Sequence, residues 1–293
     1  MKYGIYFAYW TKNWEADYFK YIDKVKKLGF DTLEISCAAF NDYYTKDSEL
    51  IEIRDYAHKQ GIDLTAGYGP TIDQNLCSED EEVVNNAKKF FYETFRKLEL
   101  LNIDFLGGGL YSYWPVDYSK PFNKEKEWAR AVKNIREVSE VAEKHHVTLG
   151  MEVLNRYEGY LVNTAQEALE FVKEVDRSNV KIMLDTFHMN IEEDNFTDAI
   201  QTAGDYLGHF HIGEQNRQVP GKGILPWEEI GKALRSIDYT GHVVMEPFVM
   251  QGGMIASEIK VWRDLVDHPS EEKLDADAKS SLEFIKDKFV KKS

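Results

Sequence analysis

Short apolar runs alternate with longer amphipathic stretches from one end of the chain to the other. The runs are six to eight residues long and are rich in β-branched and aromatic residues, a composition that favours β-strands. The pattern therefore predicts eight strands, namely Lys2–Tyr9, Phe30–Ser36, Ile62–Gly67, Ile103–Gly109, Val147–Leu154, Val180–Asp185, Leu207–Ile212 and Gly241–Pro247.

The amphipathic stretches between these strands predict helices. In the first of them, Tyr18, Ile22 and Val25 share one helical stripe, with charged residues on the opposite face. Gly29 and Gly61 follow the first two stretches and predict helix ends. The predicted helices are Glu15–Leu28, Lys46–Gln60, Glu81–Leu101, Lys124–His145, Thr164–Val175, Phe196–Ala203 and Trp227–Ser236, followed by a closing helix at Glu258–Val266 and an additional one at Asp275–Phe289.

Eight consecutive strand–helix units predict parallel strands and an α/β fold, because each helix returns the chain to the same end of the sheet. This order is typical of a closed (β/α)8 barrel, the TIM barrel. The alternative, an open doubly wound sheet, would need a phosphate-binding glycine fingerprint, and Gly107–Gly109 lacks the required spacing. No linker divides the chain, so we expect one barrel domain over residues 1–293, with C-terminal helices from about residue 256.

The charge balance is strongly acidic, with 36 Lys and Arg against 51 Asp and Glu and a formal net charge of −15. This chain lacks the basic surplus that neutralises phosphate backbones, so we expect no nucleic-acid partner. Its two cysteines, Cys37 and Cys77, cannot build a disulfide framework, and no apolar stretch approaches membrane-spanning length. We therefore expect a cytoplasmic protein without membrane contact.

Four consecutive predicted strands carry a metal-competent side chain at the same end. Glu152, Asp185, His211 and Glu246 lie at the C-terminal ends of strands five to eight, where barrels of this class carry their active sites. Three converging carboxylates would repel one another, and no Lys or Arg lies within these strand ends to neutralise them. A divalent cation removes this conflict, and three oxygen ligands with one nitrogen suit Mn²⁺, Co²⁺ or Mg²⁺.

Two further polar residues of the predicted strands are left outside this candidate site. His209 shares a strand face with His211 but lies one layer deeper, so we interpret it as a hydrogen-bonded structural histidine. Glu34 in the second strand fits either a supporting partner of the site or a buried, hydrogen-bonded acid.

Several motifs near the strand ends resemble those of the ketose 3-epimerases. They are Gly108–Pro115, Glu152–Arg156, Leu184–Asn190, Gly213–Arg217, Val219–Gly223 and Met245–Phe248, together with Trp10 and Trp14. The resemblance covers nearly the whole chain and is greatest to the D-psicose (D-allulose) and D-tagatose branches. It implies an isomerase that epimerises ketohexoses at C3, for example D-fructose to D-psicose.

The resemblance implies a cofactor and a catalytic pair. One Mn²⁺ or Co²⁺ ion, less readily Mg²⁺, would be held by the four strand-end residues named above. Inversion at C3 through a cis-enediolate requires proton transfer on both faces of the sugar. Glu152 and Glu246 come from strands five and eight, far enough apart around the barrel to flank a sugar, so we expect them to be the two acid/base groups.

The resemblance also implies how the sugar is held. Residues matching Glu158, His188 and Arg217 bind it around O1–O3. The apolar wall along the rest of the sugar matches Tyr6, Trp14, Trp114 and Phe248. Gly109 and Tyr68 depart from the family pattern in places that can line the pocket, so the preferred ketose stays open.

Three other functions remain as alternatives. An aldose–ketose isomerase on a similar barrel relies in many cases on two metals and a catalytic Lys. A phosphodiesterase related to the endonuclease IV group needs more histidines and a basic face for DNA. A barrel that only binds sugar has no use for two carboxylates facing each other across a metal.

The family also implies homodimers or homotetramers. Apolar side chains in the late helices are candidates for contact between copies, namely Trp262, Leu265, Phe284 and Phe289.

Overall fold

A computed structural model describes residues 1–42 and 44–290, so Tyr43 and the last three residues of the predicted domain lie outside it. The eight strands form one closed parallel barrel in sequence order. Their bounds are β1 Lys2–Tyr6, β2 Thr32–Ser36, β3 Asp63–Gly67, β4 Phe105–Gly108, β5 Thr148–Glu152, β6 Val180–Asp185, β7 Leu207–Ile212 and β8 His242–Met245. β1 pairs with β8, with Ile5 opposite Met245, and this pairing closes the barrel. The predicted TIM barrel is confirmed.

The helices surround the strands. They are α1 Tyr18–Leu28, α2 Ala39–Asp42, α3 Asp47–Gln60, α4 Glu81–Leu101, α5 Lys124–Lys144, α6 Ala165–Val175, α7 Thr186–Glu192, α8 Phe196–Ala203, α9 Trp227–Ser236, α10 Gly253–Ile259 and α11 Glu271–Phe289. Gly29 and Gly61 end α1 and α3 with φ of +90° and +66°, a conformation that glycine adopts without steric cost. The predicted helix ends at these glycines are confirmed. In the described part of the chain, no helix combines the length and the apolar character that crossing a membrane requires.

The predicted first strand is too long. Phe7–Trp10 forms a 3₁₀ helix that leaves the barrel after Tyr6. Phe7 packs edge-on against Tyr18 of α1, with ring centroids 5.5 Å apart. Aromatic residues favour strands, but here this contact with the surrounding helix decides the local structure.

The C-terminal helices also differ from their predicted bounds. The predicted closing helix Glu258–Val266 is wrong in position, because α10 spans Gly253–Ile259 and overlaps it by only two residues. α10 ends there because Lys260 adopts φ +63° and the Val261 N–H donates back to the Ala256 carbonyl at 2.9 Å. α11 begins four residues earlier than predicted, since the Ser270 side chain accepts from the Lys273 N–H at 3.2 Å. α11 packs between α9 and α1 and completes the helical ring.

One helix that the pattern did not predict, α7, begins directly after β6. The Asp185 carboxylate caps it by accepting from the Phe187 N–H at 2.7 Å. The end of β6 therefore also fixes the start of a helix above the barrel.

Glycines inside the barrel make room for large side chains. A Cβ on Gly150 would lie 2.3 Å from the ring of Phe105, and one on Gly107 would lie 2.3 Å from the Met183 sulfur. The Phe105 ring stacks on His209 with centroids 4.6 Å apart. The interior below the strand ends is thus a close-packed core.

We expect Gly150→Ala to destabilise the protein by about 1–3 kcal/mol, because the added methyl overlaps the Phe105 ring and the packed interior must shift to accept it. Urea unfolding at neutral pH measures this change. An unchanged midpoint at an unchanged slope would contradict the described packing.

Candidate active site

A cavity opens at the C-terminal ends of the strands, with about 630 Å³ of empty space including its mouth. Every residue predicted for the site lines this cavity except Asp185, which is buried at its base. The lining residues from the prediction are Tyr6, Trp14, Trp114, Glu152, Glu158, His188, His211, Arg217, Glu246 and Phe248. The barrel thus brings together side chains from nearly the full length of the chain.

The four candidate metal ligands are neighbours because they lie at the C-terminal ends of the adjacent parallel strands β5 to β8. Glu152 and Asp185 are the last residues of β5 and β6, and Asp185 pairs with His211 of β7. Glu246 follows β8, and its N–H donates to the Ile212 carbonyl at 3.0 Å. Glu152 is opposite Met183 and His211 is opposite Val244, so Asp185 and Glu246 each lie two residues beyond the partner of the neighbouring candidate ligand. Residues two apart on a strand point to the same face, and all four side chains therefore extend into the same end of the barrel.

These four side chains offer ligand atoms that all lie within 4.8 Å of one another. His211 Nδ1 lies 3.6 Å from Glu246 Oε1 and 4.0 Å from Asp185 Oδ2. Among the described residues, neither His211 Nδ1 nor Asp185 Oδ2 has a hydrogen-bond partner, although both are buried. Buried polar atoms without partners are costly, and a cation bound between them would satisfy both.

The pKa shifts within the cluster also favour a bound cation. Burial and then the nearby Glu246 carboxylate raise the pKa of Glu152 well above its usual value. Burial also raises the pKa of Asp185. Both shifts indicate that these carboxylates are buried and that too little positive charge lies nearby to stabilise their ionised forms. The residues present therefore fit a divalent cation.

Glu34, which the sequence interpretation left outside the site, lines the cavity. Its Oε1 lies 2.5 Å from His211 Nε2, and its Oε2 lies 2.8 Å from both His209 Nε2 and the hydroxyl of Thr65. Glu34 is thus a buried, hydrogen-bonded acid that contacts the candidate ligand His211, which agrees with both interpretations that its sequence position allowed. The one available signal was an acid within the apolar run of β2.

Arg217 supplies positive charge from the loop between β7 and α9. Its guanidinium lies 3.3 Å from Glu246 Oε2 and 2.9 Å from Glu158 Oε1, and it stacks on the Phe187 ring at 3.6 Å. Its backbone has φ +63°, which costs a non-glycine residue about 1–3 kcal/mol. Burial acts to raise the pKa of Glu158, but Arg217 and His188 hold it below its usual value.

His188 lies on α7, and the contacts of its two ring nitrogens indicate which of them carries the proton. Its Nδ1 accepts from the backbone N–H of Asn155 at 3.2 Å. Burial lowers the pKa of His188, so the ring is neutral and carries its proton on Nε2. That nitrogen lies 3.9 Å from Glu152 Oε1. His188 thus presents a hydrogen-bond donor towards the carboxylate cluster.

Aromatic side chains form one wall of the cavity. The Tyr6 ring lies 6.3 Å from both the Trp14 and the Phe248 rings, edge-on to Phe248. Trp14 donates its indole N–H to Glu258 Oε2 of α10 at 2.7 Å. Trp114 lines the cavity from the loop after β4. Such surfaces suit the C–H face of a sugar.

The two positions that depart from the family pattern also line the cavity. Tyr68 stacks on Phe90 with centroids 4.6 Å apart. A Cβ on Gly109 would lie 3.2 Å from a methyl of Leu154. Both residues contribute to the shape of the cavity.

Comparison with known proteins gives the same assignment from sequence and from structure. Residues 22–287 match the family described as xylose isomerase-like TIM barrel. The chain is 65% identical over 289 residues to the D-psicose 3-epimerase of Enterocloster bolteae, covering 99% of this chain and 96% of that protein. The D-psicose 3-epimerase from Clostridium cellulolyticum H10, crystallised with D-tagatose, superposes with a TM-score of 0.97 at 53% identity and 99% coverage of both chains. A D-psicose 3-epimerase structure determined in the presence of D-fructose gives a TM-score of 0.96 at 52% identity, again over 99% of both chains.

These matches define the protein as a xylose isomerase-like TIM barrel and a carbohydrate epimerase of the isomerase class. Within that class, the chain belongs to the ketose 3-epimerase family.

We expect Arg217→Gln to destabilise the fold by about 1–3 kcal/mol, because the partly buried Glu158 carboxylate then loses its cation. Adding Glu158→Gln to the same chain should recover part of the loss, since no unpaired charge is left at that position. Urea unfolding of the two single variants and the double variant measures the coupling. Strictly additive losses would contradict the described ion pair.

Proposed function

We propose that this protein catalyses the metal-dependent epimerisation of ketohexoses at C3 and interconverts D-fructose and D-psicose. The observation that carries the proposal is the convergence of four ligand-competent side chains from β5–β8 in one cavity beside Arg217, His188 and Glu158. Relatives that are 65% and 54% identical are named D-psicose 3-epimerases, which supports the choice of substrate.

The proposed cofactor is one Mn²⁺ or Co²⁺ ion held by Glu152, Asp185, His211 and Glu246. Three carboxylate oxygens and one imidazole nitrogen suit these borderline ions. When bound, the ion supplies Lewis-acid stabilisation of negative charge on two adjacent sugar oxygens, worth several kcal/mol. Asp185 and His211 contribute the two buried atoms without partners, which supports their assignment as ligands.

Three residues beside the ligands would orient the sugar around O1–O3. His188 directs its Nε2–H into the cavity and donates to a sugar oxygen. Arg217 donates through its guanidinium, whose geometry suits paired oxygens. Glu158 is held as a carboxylate by Arg217 and accepts from a sugar hydroxyl. The aromatic wall covers the apolar face of the sugar and excludes water from the reacting carbon.

The proton transfers are assigned to Glu152 and Glu246. One carboxylate removes the C3 proton, which leaves negative charge shared between O2 and O3 in a cis-enediolate. The other carboxylic acid then returns a proton to the opposite face, so the configuration at C3 inverts. Glu152 and Glu246 project from β5 and β8, with two strands between them, and this separation supports their placement on the two faces.

Incubating the Mn²⁺-loaded protein with D-fructose and separating the sugars by chromatography tests the proposal. D-Psicose should form as the new sugar until a constant ratio of the two ketoses is reached. D-Glucose or D-mannose would instead indicate an aldose–ketose isomerase. Unchanged D-fructose would indicate a protein that only binds sugar. Each of these last two results would overturn the proposed reaction.

Metal removal should abolish the epimerisation and lower the melting temperature. A ligand that binds only the folded state stabilises it by about 2.7 kcal/mol at a hundred times its Kd. Dialysis against a chelator, elemental analysis, calorimetry and re-addition of Mn²⁺ or Co²⁺ measure both effects. Full activity with no metal detected would contradict the proposal.

Glu152→Gln and Glu246→Gln should each slow the epimerisation by about 10²–10⁴-fold, because each variant lacks one of the two acid/base groups. Each metal-loaded variant retains one carboxylate, so it should still exchange the C3 proton of one epimer with deuterium from solvent, and the two variants should favour opposite epimers. NMR of the recovered sugars measures the exchange.

The matched control for these two variants is Glu192→Gln, whose carboxylate pairs with Arg156 outside the cavity lining and whose side chain is 6% exposed. Bound metal is quantified in every variant, because Glu152 and Glu246 are also proposed ligands. Near-normal epimerisation by either metal-loaded site variant would refute the two-base assignment.

Association into homodimers or homotetramers stays a prediction. Of the apolar late residues named for contact between copies, Phe289 is buried against the barrel, whereas Trp262 is 69% exposed. Trp262 therefore remains the strongest candidate among them for such a contact.

A further inference from the structure

Behind the proposed metal ligands lies a second, fully buried polar group made of Glu34, His209 and Thr65. Glu34 is 1% exposed, and so are His209 and Thr65. Glu34 comes from β2, His209 from β7 and Thr65 from β3. Among the hydrogen bonds described above, the one between Glu34 and His211 connects this group to the four candidate metal ligands. The proposed reaction uses none of them directly.

The hydrogen bonds around Glu34 determine which atoms carry protons. A carboxylate only accepts, and Glu34 faces the Thr65 hydroxyl at 2.8 Å together with Nε2 of His211 at 2.5 Å and Nε2 of His209 at 2.8 Å. His211 must therefore direct an N–H from Nε2 towards Glu34, whereas His209 Nε2 lies 2.8 Å from the same carboxylate without a well-aligned hydrogen bond. A neutral His211 then has its lone pair on Nδ1, the atom that lies near Glu246 and Asp185.

This group does not form a second ion site. Glu34, His209 and His211 have ligand atoms close enough together to be considered for a metal. However, the carboxylate oxygens lie in direct contact with both ring nitrogens, at 2.5 and 2.8 Å, so an ion has no room between them. The contacts are those of a hydrogen-bonded support.

We propose that Glu34 is a positioning residue that fixes the tautomer and ring orientation of His211, and that His209 and Thr65 hold Glu34 in place for this task. This inference rests on the proposed function, in which His211 is a metal ligand. Partners of this kind orient a ligating imidazole and raise its basicity, and their loss weakens metal binding.

Glu34→Gln is the informative substitution because the amide keeps the size of the side chain and changes its hydrogen bonding. The amide has one accepting oxygen and one donating nitrogen, so it cannot accept from both imidazoles through separate atoms. When its NH₂ group faces His211, Nε2 must become the acceptor and the proton moves to Nδ1. The metal must then displace that proton in order to bind.

Calorimetric titration of the metal-stripped protein with Mn²⁺ tests the inference. We expect Glu34→Gln to raise the Kd for Mn²⁺ by about 10–100-fold, while Glu192→Gln, the matched buried-carboxylate control, leaves it unchanged. Circular dichroism of both metal-stripped variants verifies that they are folded. A folded Glu34→Gln protein with the wild-type Kd overturns the inference.

A second measurement needs no Glu34 variant. In wild-type protein labelled with ¹⁵N-histidine and loaded with diamagnetic Zn²⁺, the His211 signals, assigned with a His211→Gln sample, should show the proton on Nε2. A proton on Nδ1 overturns the inference even where Glu34→Gln fails to fold. Wild-type protein that binds no metal at all would refute the proposed function itself, whereas normal wild-type binding with an insensitive Glu34→Gln variant would refute only the role of Glu34.

Discussion

Like-charge repulsion at the mouth of the barrel is the constraint on which the rest of this site depends. Glu152, Asp185 and Glu246 extend from the C-terminal ends of parallel strands of one closed barrel and offer oxygens that lie within 4.8 Å of one another. Ionised carboxylates at this spacing and burial are unfavourable without compensating positive charge. A cation bound among these carboxylates would remove this repulsion, which is why the cluster fits a metal ion.

The protein compensates part of this charge, and it does so from a loop. Arg217 contacts Glu246 on one side and Glu158 on the other, so its single charge is shared between the candidate ligand cluster and a second carboxylate of the cavity. The loop is held by the fully buried carboxylate of Glu214, which accepts from the Gly221 N–H at 2.6 Å and from the Trp227 indole at 2.7 Å. Rigid anchoring of this kind offsets the cost of the left-handed backbone at Arg217.

The barrel and the convergence of the four candidate ligands at its strand ends could be predicted from the sequence because both follow from local patterns. Each candidate ligand comes at or just after the end of an apolar run, and such runs end where the strands reach the same end of the barrel. Phe7–Trp10 could not be predicted in the same way, because its aromatic composition suits a strand equally well and only packing against α1 decides otherwise. The contact between Glu34 and His211 joins positions 177 residues apart across the barrel, and no local pattern encodes it.

The hydrogen bond between Trp14 and Glu258 has a consequence for how the cavity comes to exist during folding. These residues are 244 positions apart, and they meet because β1 and β8 are adjacent in the closed barrel. Backbone contacts from Lys12 to Ile255 and from Asn13 to Met254 reinforce the same junction. Contacts of such long sequence separation form only after the intervening chain is ordered. We therefore expect the aromatic wall to be completed late in folding, after the carboxylates of β5 and β6, which are closer in sequence, have come together.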